Sequence, residues 1–261
     1  MGHERLGTLP KTQRWKQIVQ RIGQFSVSDD DVSHIVRQTI RNVESRLRTI
    51  QRDQGVQAAF KSLVIISFAS QLDNPREVLK SNGIEVPDNP TPSSIAKGIS
   101  QLVFTHRGSM EYTQIAQSAA IDTIAIWYEK HKESQASLFQ SSPEPFGVWR
   151  KASNGAGFCE LARLFFAKFT ERYLNYFLER EASACLPDIH KRELFSKNIQ
   201  EHVDDISKHA FETARITQSF AAGWFNNQLG KGVPTDYAIE EFLRLAFGKI
   251  REELQREAND R

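Results

Sequence analysis

Apolar positions recur along most of this chain three or four residues apart, the spacing of one face of a helix. Trp15, Ile18, Val19 and Ile22 form the first such row and predict a short helix that closes near Gly23. Ser28 followed by Asp29, Asp30 and Asp31 offers a hydroxyl cap and first-turn acids, both of which satisfy a helix N-terminus. From there Val32, Val36, Ile40, Val43, Leu47 and Ile50 make one stripe. It predicts a second helix running to about Arg52 and stopping at Asp53-Gln-Gly55.

Residues 56–72 are apolar nearly all round, with Lys61 the one charge. Leu63 to Phe68 alone would suit a strand, but no alternating segment stands nearby to pair with it, so the reading is a buried core helix. Asn74-Pro75 opens a short helix that Asn82-Gly83 closes, and Val86-Pro-Asp-Asn-Pro-Thr-Pro92 is a turn-rich connector. Helices follow over roughly 93–105 and 110–132. The pattern lapses from Lys132 to about Gly157, and three long helices are predicted beyond it, over about 158–182, 188–228 and 236–257. The middle one has room for a break.

The expected fold is therefore all-α: about eight helices packed as an irregular bundle, with no substantial β-sheet. The expected organisation is an N-terminal part over 1–133, a connecting loop over 134–157, and a C-terminal part of long helices over 158–261, the two parts sharing one core.

Composition narrows the class. With 17 Phe, 5 Tyr and 4 Trp the chain is too aromatic to be disordered, and 14 Gly and 9 Pro are too few for a collagen-like or low-complexity chain. Two cysteines make no disulfide scaffold. Cys159 and Cys185 flank a predicted helix and so stand roughly 35–40 Å apart, beyond bridging reach. No secretory leader and no membrane-length apolar run is read, so a cytoplasmic location without membrane contact is expected. The net charge of +2 hides an asymmetry: residues 1–52 carry ten basic and five acidic groups, the remainder 24 and 27.

That asymmetry directs attention to the second predicted helix. At about 100° per residue, Arg37, Arg41, Arg48 and Arg52 share one side of it, and Glu44 is the one acid there. A solvated face is the plain reading; phosphates or an acidic protein surface would also fit it. On a later helix His202, Asp205, His209 and Glu212 fall at i, i+3, i+7 and i+10, a row able to ligate a divalent metal, although it borders an apolar stripe and not a second set of ligands.

The remaining features are weaker. Asn154-Gly-Ala-Gly157 resembles an anion-binding turn but lacks any P-loop or dinucleotide-binding pattern. Cys159, near a helix start, would suit a nucleophile only with a lowered pKa. Asp122 interrupts an apolar run and needs a cationic partner if buried. Met1–Pro10 has the position of a frayed tail, although its mixed composition would also suit a segment that docks onto its own bundle or into a partner's groove. No motif requires a cofactor. The function expected is that of a non-enzymatic helical adaptor or subunit of a cytoplasmic multi-protein complex, with a protein partner. The alternatives are a nucleic-acid-binding accessory protein using the arginine face and a helical metalloenzyme using the His202–Glu212 row.

Overall fold

The structure is a computed structural model that describes residues 12–25, 29–43, 46–106, 108–132, 144–213 and 215–259, without the side chains of 29, 30, 207–213 and 215–218. Among the described residues there are twelve helices and no strand. The all-α expectation holds; the helix count was low.

The helices are α1 (Gln13–Gly23), α2 (Asp29–Val43), α3 (Leu47–Ile50), α4 (Gln54–Ala69), α5 (Pro75–Ser81) and α6 (Pro92–Phe104). They continue with α7 (Met110–His131), α8 (Gly147–Arg150), α9 (Gly155–Cys185), α10 (Ile189–Thr213), α11 (Arg215–Leu229) and α12 (Asp236–Asn259). The helix predicted to Arg52 is described as α2 and α3, with residues 44 and 45 outside the described residues. Both turn the predicted apolar stripe inward: Val43, Leu47 and Ile50 are all buried. The helix expected over 188–228 is described as α10 and α11, with residue 214 outside the described residues. The short α8 and the first residues of α9 occupy part of the expected connecting loop.

The chain forms two compact units, each assembled from separated segments. The first comprises 1–50, 170–214 and 245–261. Its apolar rows come from Trp15, Ile18 and Ile22 of α1 and Ile35, Val36 and Ile40 of α2, with Phe177 and Phe195 beside them. The Trp15 indole N–H donates to Glu181 Oε1 at 2.8 Å, which gives that buried carboxylate a partner. The Tyr173 hydroxyl donates to the carbonyl of Val43 at 3.0 Å, satisfying one of the carbonyls that the end of α2 leaves open.

The second unit comprises 51–169 and 215–244. Helix α4 lies at its centre, buried nearly all round as its composition predicts, and packs on α6 and α7. An aromatic cluster surrounds Phe60: its ring stacks on Phe242 with centroids 5.1 Å apart, and Phe158 stacks on Phe225 at 4.4 Å. The abundance of phenylalanine is thus largely a property of the interior.

Two further contacts hold this unit's connections. Trp127 of α7 donates to the carbonyl of Val148 at 3.1 Å and so ties down α8. Gly157 in the first turn of α9 stands where a Cβ would lie 1.8 Å from the carbonyl oxygen of Lys151. Only a glycine lets the chain turn back so closely.

Candidate functional site

The second unit carries an open groove of about 360 Å³ between α5, the connector after it and the outer face of α6. Its geometry begins with the end of α5. Gly83 takes a left-handed φ of 81°, and the N–H of Ile84 reaches back to the carbonyl of Leu79 at 2.9 Å while that of Gly83 reaches Lys80 at 3.0 Å. This glycine-terminated closure reverses the chain so that 84–87 returns alongside α6. Gly98 admits it: a Cβ there would meet Ile84 Cγ2 at 2.9 Å and the carbonyl oxygen of Glu85 at 3.2 Å.

Two rows of side chains then face each other across the connector. Arg76 and Lys80, one turn apart, come from α5; Ser94, Lys97 and Gln101 come from α6; Glu85, Val86 and Pro87 form the floor. Arg76 is held in place, donating to the carbonyl of Val86 at 3.2 Å and pairing with Asp88. Ser94 completes a reciprocal cap with Thr91 at the start of α6. Lys80, Lys97 and Glu85 make no ion pair with any described residue.

The row on α6 continues past the groove to Phe104, which is 89% exposed. A turn separates Phe104 from Met110, 51% exposed at the start of α7. The carboxylate of Asp53 shapes that turn. Its Oδ1 accepts from the N–H groups of Gly55 and Val56, at 3.0 and 3.1 Å, and so caps α4. Its Oδ2 accepts from the N–H of Ser109 at 2.6 Å. Gly55 and Gly108 allow the approach, since a Cβ on either would stand 2.0 or 2.5 Å from Thr113 Oγ1.

The sequence-predicted residues fall elsewhere. Arg37 and Arg41 are one turn apart on α2, Arg48 is exposed on α3, and Arg52 is exposed and belongs to the second unit. Arg37 donates to Ser33 Oγ. Arg41 donates to the carbonyl of Ala258 and, at 3.2 Å, to Asn259 Oδ1, which puts its charge at the C-terminus of α12. The residues expected to be one free arginine face are thus spread over separate elements, and Arg41 is engaged. Positive charge does gather on this side of α2: burial and then Arg21, Arg37 and Arg41 hold the His34 imidazole below its ordinary value, against the pull of Asp31.

His202 is half-buried and Asp205 exposed on α10, while the side chains of His209 and Glu212 lie outside the described ones. Among the described residues no cluster of His, Cys, Asp and Glu is placed to hold a metal ion. Asn154 spends its side-chain oxygen on the N–H of Gly157 at 3.0 Å, so the glycine-rich turn caps its own helix. Cys159 is 3% exposed, and burial, reinforced by Glu160 and opposed by Arg163, pushes its thiol up, the wrong direction for a nucleophile. Cys185 sits on the same helix, and neither cysteine is in a disulfide. Asp122 is half-buried on α7, and Met1–Pro10 lies outside the described residues. No helix among the described residues is long and apolar enough to cross a membrane.

The groove and Phe104 escaped the sequence reading although one signal was present. Ile95, Ile99 and Val103 define the buried stripe of α6, and Phe104 falls about 140° from its centre, on the side of Lys97 and Gln101. Comparison of the chain with family models, with curated proteins and with solved structures finds no match, so the functional reading rests on these residues.

Proposed function

We propose that this chain is a non-enzymatic helical adaptor or complex subunit that works in the cytoplasm and seats a protein partner on the outer face of α6. The observation that carries the reading is Phe104. Every other phenylalanine whose side chain is described is buried or half-buried, and this one is 89% exposed. Leaving such a side chain in water forgoes about 1.5–3 kcal/mol of burial, and aromatic side chains are the usual anchors of interfaces. Met110, at the start of α7, is a second exposed apolar side chain, and an adaptable one.

A photo-crosslinking phenylalanine derivative placed at position 104 tests the reading in cells, with the exposed Glu129 position of α7 as control. A discrete adduct with one protein at 104 and not at 129 is the expected result. No adduct, or the same adducts at both positions, overturns it.

A second reading, nucleic-acid binding in the first unit, draws on the cations gathered around His34. Phosphate contacts of Arg37 and Arg48 would give a salt-dependent mobility shift, and reversing both to Glu would abolish it. No shift at low salt ends this reading.

A further inference from the structure

The groove beside Phe104 has a chemistry of its own, and it narrows the kind of partner that fits. Along α6, Ser94, Lys97, Gln101 and Phe104 occupy one line at i, i+3, i+7 and i+10. A ligand lying on that line meets a hydroxyl, an ammonium, an amide and then an exposed ring. Lys80 approaches from the opposite wall, and neither lysine has an ion-pair partner among the described residues. Arg76 contributes less, because Asp88 already answers its charge.

The floor distinguishes between polyanions. Glu85 sits within the groove and Asp88 on its edge, so a continuous phosphate backbone would be opposed at two places along its path. A peptide meets no such difficulty. It supplies backbone N–H groups that a carboxylate such as that of Glu85 can accept, and it can carry its negative charge only where the lysines stand. It can also end in the apolar side chain that Phe104 calls for, which a phosphate backbone lacks.

We infer that the groove takes an extended acidic segment of a protein partner, its carboxylates at Lys80 and Lys97 and an apolar or aromatic side chain against Phe104. This rests on the partner reading above and names the chemistry of that partner. The spacing follows from helix geometry. Lys97 and Phe104 are seven residues apart on α6, about 10 Å at 1.5 Å per residue, and a peptide in the extended polyproline-II conformation covers that in about three residues at 3.1 Å each, one full turn that brings both side chains to the same face. The recognised pattern is therefore an Asp or Glu and a Phe, Leu, Trp or Met three positions apart, in either order along the peptide. The whole line from Ser94 to Phe104, about 15 Å, accommodates four or five extended residues.

A display library of fully randomised eight-residue peptides, selected against the whole chain at low salt, reads this out. The expected outcome is enrichment of an acid and an apolar residue at that spacing. An enriched peptide, made synthetically and followed by fluorescence anisotropy, binds more weakly as salt is added and about tenfold more weakly when Lys80 and Lys97 are both replaced by Glu. Both lysines are exposed, so the double variant keeps its fold, and unchanged helical circular dichroism checks that. Phe104→Ser weakens binding of the same peptide and leaves its salt dependence intact.

Enriched peptides without acids, or binding indifferent to the lysine reversals, overturn the inference while leaving the crosslinking result at position 104 to stand or fall by itself. A selection that yields nothing overturns it as well. So does an oligouridylate or oligothymidylate that displaces the peptide and binds more tightly, since that outcome assigns the groove to nucleic acid.

Discussion

One carboxylate sets the turn on which the proposed surface depends. Asp53 caps α4 through Oδ1 and holds Ser109 through Oδ2, fixing the start of α7 and with it Met110. Asp53→Ala removes a helix cap worth about 0.5–2 kcal/mol and a charge-assisted bond worth about 1.5–3 kcal/mol. A loss of about 2–5 kcal/mol in a urea titration is expected on that basis. Asp53→Asn, which can keep the cap but turns an amide toward Ser109, loses only the second part; a stability unchanged in Asp53→Asn would show that the Ser109 contact contributes nothing, and equal losses in the two variants that the cap contributes nothing. His34 gives a prediction of opposite origin. Its pKa is lowered from 6.5 in the folded chain, first by burial and then by Arg21, Arg37 and Arg41, with Asp31 opposing. The unfolded chain therefore binds more protons in the window just below 6.5, so stability falls as the pH is lowered through that window and is recovered above it. His34→Gln flattens this slope between neutral and mildly acidic urea titrations; an unchanged slope assigns the dependence to other groups.

At the level of elements, α5 and the connector form the groove only because the chain reverses at Gly83. An Ala there takes on a left-handed conformation at a cost of roughly 1–2 kcal/mol, and Asn, which tolerates that region, should cost less. Thermal midpoints ordered glycine, asparagine, alanine are the expected result, and equal midpoints would mean the reversal survives by another geometry. This closure is legible in Asn82-Gly83, as are the end of α1 and the bounds of α6 and α7, because caps and apolar rows are local signals. Other features are ones that local signals cannot separate. Asp53-Gln-Gly55 reads as the end of one helix and is the cap of the next, α4, which runs over Gln54–Ala69 and not 56–72, since an Asp beside a Gly serves both. The short α8 has too few residues for any period to show. No single-helix pattern reveals that Arg41 is engaged by the end of α12. The groove needed the packing of α5, the connector and α6, which no single-helix pattern contains.

For the whole molecule, the decisive fact is that neither compact unit is a continuous stretch of chain. The second draws 51–169 together with 215–244, and the aromatic cluster uses both segments: Phe60, Phe158, Phe165 and Phe166 come from one, and Phe220, Trp224, Phe225 and Phe242 from the other. Cutting the chain into sequential pieces therefore divides a core. A fragment of residues 51–169 keeps α4, α5, α6, α7 and the groove but loses the rings that stack on Phe60 and Phe158. Removing a single large aromatic from a core costs about 3–5 kcal/mol, and whole domains are stable by only about 5–15 kcal/mol. The isolated fragment should accordingly retain helical circular dichroism while losing cooperative unfolding and binding a hydrophobic dye, the behaviour of a collapsed chain without fixed packing. Adding residues 215–244 back through a flexible linker should restore a sharp transition. A fragment of 51–169 that melts cooperatively alone, with well-dispersed amide resonances, would show that α11 and the start of α12 are dispensable and that α4, α6 and α7 form a sufficient core.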